Sequence, residues 1–282
     1  MVRGGMQMKD DIARLAGEAA QGDGTAYRSL PCDAVAALAA AHGAAAWEVE
    51  ATALDLGVVP ERYARNVGSL GPAGQARLLR SCAAVVGLGG LGGTVLETLA
   101  RMGVGRLRGA DGDSFAESNL NRQALCRMDT LGCAKSRAAA AAVAALNPSV
   151  RFTERPGYLD RDGMLALLSG ADLALDCLGG LASRPALREA ARAAGLPLVG
   201  AAVAGWTGWV ATLLPSGPPF PEPGGGSGAE DSLGCPGPAV HLAAALQCAE
   251  AVRLLAGQPP ALAGKMLLFD LADMSFETLD LG

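Results

Sequence analysis

The fold is decided at residues 83–92, which read Ala83-Ala84-Val85-Val86-Gly87-Leu88-Gly89-Gly90-Leu91-Gly92. A short apolar run of β-type residues meets a turn in which Gly87, Gly89 and Gly92 fit G-x-G-x-x-G, and a helical pattern over 94–102 follows. Strand, glycine turn and helix in that order present backbone N–H groups and the positive end of a helix dipole to a phosphate. The turn alone is a weak signal, because glycine supplies 39 of the 282 residues. Asp111 strengthens it. It ends a second strand, read over 107–110, and lies 19 residues past Gly92, where a carboxylate can accept hydrogen bonds from a ribose.

Outward from this unit, strands and helices alternate. An alanine-rich helix over 133–146 is closed by Asn147-Pro148, and 150–153 reads as a strand. Then come a short helix at 163–168, an apolar strand at 173–177 and a helix through 194, with Ser183 as its cap and Pro185 in its first turn. That order predicts an α/β fold with a Rossmann-like, doubly wound, mainly parallel sheet. Residues 196–203 and 209–214 read as two strands about a turn, and 265–271 with 275–281 as a closing hairpin, which makes an antiparallel C-terminal extension. Between them, 215–238 holds seven prolines and seven glycines in 24 residues; it reads as a crossover loop without regular structure, followed by a long helix over 239–256.

Residues 1–60 read as a helical N-terminal appendage, with helices over 10–20, 33–41 and 45–56 and a stop at Gly57 and Pro60. Two helices about Gly43 invite a helix-turn-helix reading. The segment opposes it with four basic residues against eight acidic ones, so packing on the main domain, residues 61–282, is expected instead.

Half the residues are apolar, 18% are charged and the net charge is -5. A core is affordable, and a general nucleic-acid or anionic-membrane binder is disfavoured. Residues 196–215 carry no charge over 20 positions, but Pro197 and three glycines break the stretch, so no membrane span is expected. Seven cysteines without a C-x-x-C pair, two histidines and no secretory signal pattern point to the cytoplasm and away from structural zinc.

Residues 111–123, Asp-Gly-Asp-Ser-Phe-Ala-Glu-Ser-Asn-Leu-Asn-Arg-Gln, put Asn119, Arg122 and Gln123 just past the ribose strand, and Lys135 opens the next helix. An enzyme that binds a dinucleotide has no need of two cations beside its phosphates. One that attacks the α-phosphate of ATP does, because negative charge builds on the phosphoryl oxygens in the transition state. A nicotinamide-dependent oxidoreductase remains the alternative use of the glycine turn, and a silent nucleotide-binding module that docks a carrier or partner enzyme is another.

With Arg62-Tyr63-Ala64-Arg65-Asn66 and Gly74-Gln75 upstream, and Gly132-x-x-Lys135 and Asn147-Pro148 downstream, the chain from about residue 61 resembles the ThiF/MoeB/HesA family, bacterial relatives of ubiquitin-activating enzymes. The resemblance implies an ATP- and Mg²⁺-dependent adenylyltransferase that activates the C-terminal glycine of a small ubiquitin-like sulfur carrier ending in Gly-Gly. It implies Gly87, Gly89, Gly90 and Gly92 around the phosphates, Asp111 on the ribose, and Asn119, Arg122, Gln123 and Lys135 along the triphosphate. It also implies a homodimer in which Arg65 reaches the neighbouring subunit's ATP. Three departures stand out: the paired C-x-x-C zinc motifs are absent, residues 1–60 are extra, and Gly179 stands where relatives carry a magnesium-binding aspartate. Asp176 or Asp113 is then expected to take the metal in a site of retained but weakened activity; the alternative is little or no turnover. Cys235 lies near the place of a reactive cysteine in some relatives. Its expected role is structural, as is that of His241, and Trp206 and Trp209 are expected to pack near the substrate strand.

Overall fold

The structure is a computed structural model that describes residues 2–218, 220 and 228–281. In β4 (Cys82–Val86) all five residues are buried. Ala83 and Val85 face one core cluster, and Cys82, Ala84 and Val86 face another, so the strand is covered on both sides as its unbroken apolar run requires. The neighbours repeat the alternation. Leu173 and Leu175 of β7 (Leu173–Asp176) join the first cluster and Ala174 the second.

The main sheet has eight strands in the order β11-β10-β9-β8-β7-β4-β5-β6. Strands β6 (Arg151–Pro156), β5 (Arg106–Asp111), β4, β7 and β8 (Leu198–Ala204) are parallel. Strands β9 (Thr207–Leu213), β10 (Lys265–Asp270) and β11 (Ser275–Asp280) extend the sheet antiparallel, as read from the sequence. One face carries α5 (Gly90–Met102), α6 (Lys135–Leu146) and α10 (Gly237–Leu255). The other carries α7 (Arg161–Leu168) and α8 (Arg184–Ala193). The connections run one way from β4 through β5 to β6 and the other way to β7 and β8, so the carboxyl ends of β4 and β7 flank the crevice of a topological switch point.

The N-terminal segment corrects the purely helical expectation. Helix α1 (Val2–Leu15) ends before Gly17, and the alanines expected to prolong it form β1 (Gly17–Ala20). That strand pairs antiparallel with β2 (Ala26–Leu30), which pairs in parallel with β3 (Val58–Pro60). Helices α2 (Cys32–His42) and α3 (Ala46–Asp55) fall where expected and close a small core around Ile12, Leu30, Val49 and Val58.

This unit shares a core with the main domain. Ala51 and Leu54 of α3 pack with Tyr63, and with Ala76 and Leu79 of α4 (Ala64–Arg80), a helix kinked at Gly71-Pro72. The Tyr63 hydroxyl donates to Glu50 (3.2 Å) and accepts from Asn147 Nδ2 (2.9 Å). Glu50 also accepts from Ser149 (3.0 Å) and pairs with Arg62 (3.3 Å), whose guanidinium reaches Asn147 as well.

The expectation of no regular element in 215–238 also needs correction. A short helix, α9 (Glu230–Leu233), lies within it, and α10 begins at Gly237. Residues 219 and 221–227 of that stretch lie outside those described. Helix α8 starts one residue after Ser183 with Pro185 in its first turn, but the serine side chain makes no capping bond.

Candidate functional site

A cavity of about 540 Å³ opens in the crevice beyond β4, β5 and β7. Its floor is the glycine turn. Gly87 has φ +89°, and a Cβ there would lie 2.5 Å from the Cys177 carbonyl oxygen. A Cβ at Gly92 would lie 1.8 Å from the carbonyl oxygen of Gly87. No other residue lets the strand, the turn and the 177–180 loop approach so closely. Gly89 caps α5, and Gly89, Gly90 and Leu91 line the cavity, so the unpaired N–H groups of the first helical turn face it.

Asp111 lines the cavity at the end of β5, with both carboxylate oxygens engaged. Oδ2 accepts from the Leu88 N–H (2.7 Å) and Oδ1 from that of Asp113 (2.8 Å). The strand-end acid thereby ties the glycine turn to the loop that carries the next residues.

In that loop Asn119 Oδ1 caps a short 3₁₀ turn by accepting from Ala116 N–H (3.1 Å). Arg122 is anchored on the Ser118 carbonyl (3.0 Å) and on Asn121 Oδ1 (2.8 Å). Gln123 lies against Gly89, 7% exposed, and its Oε1 is buried without a hydrogen-bond partner among the described residues. A buried orphan of this kind is uncommon and suits a cavity built for a polar ligand.

Lys135 opens α6 with only 7% of its side chain exposed, and its ammonium bonds Asp113 Oδ2 at 3.0 Å. The Tyr158 hydroxyl donates to the other oxygen of Asp113. These two bonds, with the tyrosine's the larger effect, hold the Asp113 carboxyl below its usual range. A buried cation and an anchored arginine therefore share one cavity with a helix N-terminus. The two cations and the helix N-terminus can take the oxygens of a triphosphate, in a cavity that Asp111, Asp113, Glu230 and Asp231 also line.

The metal expectation for Asp176 does not fit the geometry. Asp176 is fully buried, does not line the cavity and bonds Arg184 at 3.1 Å and the Leu178 N–H at 3.2 Å. Burial pushes its carboxyl up, with Arg184 opposing. Arg184 also donates to the carbonyls of Gly180 (2.9 Å) and Ala201 (3.0 Å), so the pair clamps the 177–180 loop onto β8. Asp113, the other expected carboxylate, does line the cavity, but Lys135 and Tyr158 occupy both its oxygens.

Arg65 is exposed on α4 and is not among the residues lining this cavity. Cys235 lines it, with its Sγ 3.7 Å from the Val203 carbonyl oxygen, and burial raises its thiol pKa, the opposite of what a nucleophile needs. His241 is exposed on α10 and off the lining. Trp206 is exposed, and Trp209 stacks at 4.9 Å on Phe220.

Sequence reasoning missed Tyr158, Arg184 and Glu230. Tyr158 follows the carboxyl end of β6, the end of a parallel strand where ligand groups gather. Arg184 is a cation in the first turn of a helix, where the dipole disfavours it unless an acid answers. Glu230 left no sequence signal, because its place depends on the path of the crossover segment.

A second cavity, of about 520 Å³, adjoins the first, sharing Ala202, Val203 and Glu230, and spreads over Trp209 and Leu268 of the antiparallel extension. Among the described residues no helix is long and apolar enough to cross a membrane, and no group of three or more His, Cys, Asp and Glu residues is arranged to hold a metal by itself.

Fold and cavity together define an α/β domain with a cavity at the switch point of a doubly wound sheet. The ThiF family pattern matches residues 63–282, and the chain belongs to that family. It is 35% identical over 240 residues to the SAMP-activating enzyme E1 of Haloferax volcanii, covering 82% of this chain and 86% of the relative. It is 35% identical over 233 residues to the sulfur carrier protein adenylyltransferase of Thermus thermophilus, covering 78% and 86%. Among solved structures, PaaA superposes with a TM-score of 0.67 at 22% identity over 79% of this chain and 82% of that one. Escherichia coli MccB in complex with MccA-N7isoASN gives 0.66 at 19% over 78% and 72%. These two likenesses concern the fold.

Proposed function

We propose that this chain is an ATP-dependent adenylyltransferase that activates the C-terminal glycine of a small ubiquitin-like sulfur carrier ending in Gly-Gly. The observation that carries the reading is the convergence of buried Lys135, Arg122 and Gln123 with the α5 N-terminus in one cavity. The names of two similar relatives, a sulfur carrier protein adenylyltransferase and a SAMP-activating enzyme, supply the substrate class.

In this reading a carboxylate oxygen of the carrier's terminal glycine attacks the α-phosphorus of ATP. The new P–O bond gives an acyl-adenylate, the bond from the α-phosphorus to the bridging oxygen breaks, and pyrophosphate leaves. The glycine turn and the first N–H groups of α5 hold the phosphates. Asp111 is at the ribose, Asn119 and Gln123 orient the nucleotide, and Lys135 and Arg122 stabilise charge that grows on the phosphoryl oxygens. Asp113 and Tyr158 fix the lysine so that little reorganisation is needed as charge develops. A magnesium ion, when bound, adds further neutralisation of the triphosphate. The apolar second cavity receives the narrow Gly-Gly tail on its way to the α-phosphate. Arg65, exposed and away from its own chain's cavity, serves the site of a second copy in a homodimer.

The test is carrier-dependent exchange of labelled pyrophosphate into ATP, with calorimetric titration of ATP and NAD alongside. Exchange with ATP binding supports the reading. NAD binding without ATP binding overturns it. The second reading, a nucleotide-binding module without turnover, is favoured by Gly179, which offers no carboxylate to a metal. It predicts ATP binding with no exchange for any carrier supplied.

A further inference from the structure

Of the acidic residues described, Asp111, Asp113, Glu230 and Asp231 line the nucleotide cavity. They are not equivalent. Both oxygens of Asp111 accept backbone N–H groups, and both oxygens of Asp113 are taken by Lys135 and Tyr158. Asp231 is exposed. Glu230 is half-buried and anchored at one end only: its Oε1 accepts from the Gly180 N–H at 2.7 Å. Its Oε2 has no hydrogen-bond partner among the described residues.

That bond sets a carboxylate from α9 against the 177–180 loop, which itself carries no acid. Nothing lies within 4 Å of where a Cβ would stand at Gly179. The wall of the cavity that lacks a carboxylate in its own sequence thus receives one from a segment fifty residues on. The buried, unpartnered Oε1 of Gln123 in the same cavity is independent evidence that a polar ligand belongs there.

A small divalent cation beside a triphosphate takes most of its oxygens from phosphate and water and needs only one or two protein carboxylates. The lack of a larger acidic or histidine cluster among the described residues is therefore no obstacle. Resting on the proposed use of ATP, we propose that Glu230 is the carboxylate through which this cavity holds a divalent cation at the triphosphate. The Gly180 N–H holds Oε1 and so fixes the carboxylate, whose Oε2 lies beside Gly228 and keeps lone pairs for an ion.

The experiment titrates Mn²⁺ into the full chain saturated with the α,β-methylene analogue of ATP and reads free Mn²⁺ by electron paramagnetic resonance. Analogue binding without metal is measured in parallel by calorimetry in EDTA. Glu230→Gln keeps an oxygen for the Gly180 N–H and removes the charge. It is expected to loosen Mn²⁺ by at least about tenfold, the usual scale for disturbing a metal site, with metal-free analogue affinity unchanged. Gly179→Asp in the otherwise natural chain is expected to tighten Mn²⁺, and in Glu230→Gln to restore it. Mn²⁺ affinity that ignores Glu230→Gln overturns the proposal, as does affinity that ignores Gly179→Asp if the glutamine variant fails to fold. Failure of the natural chain to bind the analogue at all overturns the ATP reading itself, which separates the two.

Discussion

At Lys135 the environment does two things at once. It buries the side chain to 7% exposure and sets Asp113 3.0 Å from the ammonium. Arg122, held by a main-chain carbonyl and by Asn121, has given up part of its freedom before any ligand arrives. Lys135→Ala and Arg122→Ala are each expected to lower carrier-dependent ATP–pyrophosphate exchange by about 10²-fold or more, the scale for losing a preorganised charge-stabilising group. Unchanged exchange in both variants would remove them from the chemistry. The type and order of these residues were legible in the sequence. Their fixing partners were not, because Tyr158 and the Asp113 side chain meet only after β5 and β6 pair.

Two elements carry consequences of their own. Helix α3 brings Glu50 under Tyr63 and Ser149, and burial raises its carboxyl above the ordinary 4.5, with Arg62 opposing. From pH 4.5 up to that raised value the folded chain keeps a proton that the unfolded chain releases, so this group's contribution to stability falls as pH rises through the window. Glu50→Gln keeps an acceptor oxygen for one of the two hydroxyls, sets an amide N–H against the other and removes the titration. Calorimetric melts should show a Tm that declines less with pH above 4.5 than in the natural chain; parallel slopes would count against the assignment. In the antiparallel extension, Leu268 of β10 stands opposite Trp209 of β9 on the wall of the second cavity. Leu268→Arg is expected to raise the KM for the carrier about tenfold or more, as losing a well-packed apolar anchor costs 1–3 kcal/mol or more, with ATP affinity unchanged. Equal effects on both substrates would place the carrier's tail elsewhere.

At the scale of the whole molecule, the exposed Arg65 and the cavity it does not reach lead to a prediction about assembly. Chains carrying Arg65→Ala and chains carrying Lys135→Ala should each be inactive alone and regain exchange when co-refolded, because one of the two sites in a mixed dimer is then intact. Light scattering that shows only monomers at micromolar protein, or no complementation, would remove the shared site. The N-terminal unit belongs to the same scale. It contributes Ala51 and Leu54 to a core around Tyr63, and it supplies Glu50 to the buried polar cluster, so it is continuous with the catalytic domain in its packing.

By itself the sequence determined the α/β class, the order of the strands and of every helix but α9 from β4 onward, the glycine turn and the acid that ends β5. These depend on short-range physics: apolar runs of strand or helix period, glycine where a Cβ cannot fit, and turn-forming residues between elements. It could not settle the 17–20 segment, whose Gly-Glu-Ala-Ala composition is at ease in a helix and becomes a strand only because β2 offers it hydrogen bonds. Nor could it sort the acids of the site. Asp176 and Glu230 are both carboxylates near the 177–180 loop. Tertiary structure alone gives the first to Arg184 in the buried interior and leaves the second on the cavity wall with one oxygen unpaired. A carboxylate's chemistry depends on whether its oxygens are already satisfied, and that is fixed by partners distant in the chain.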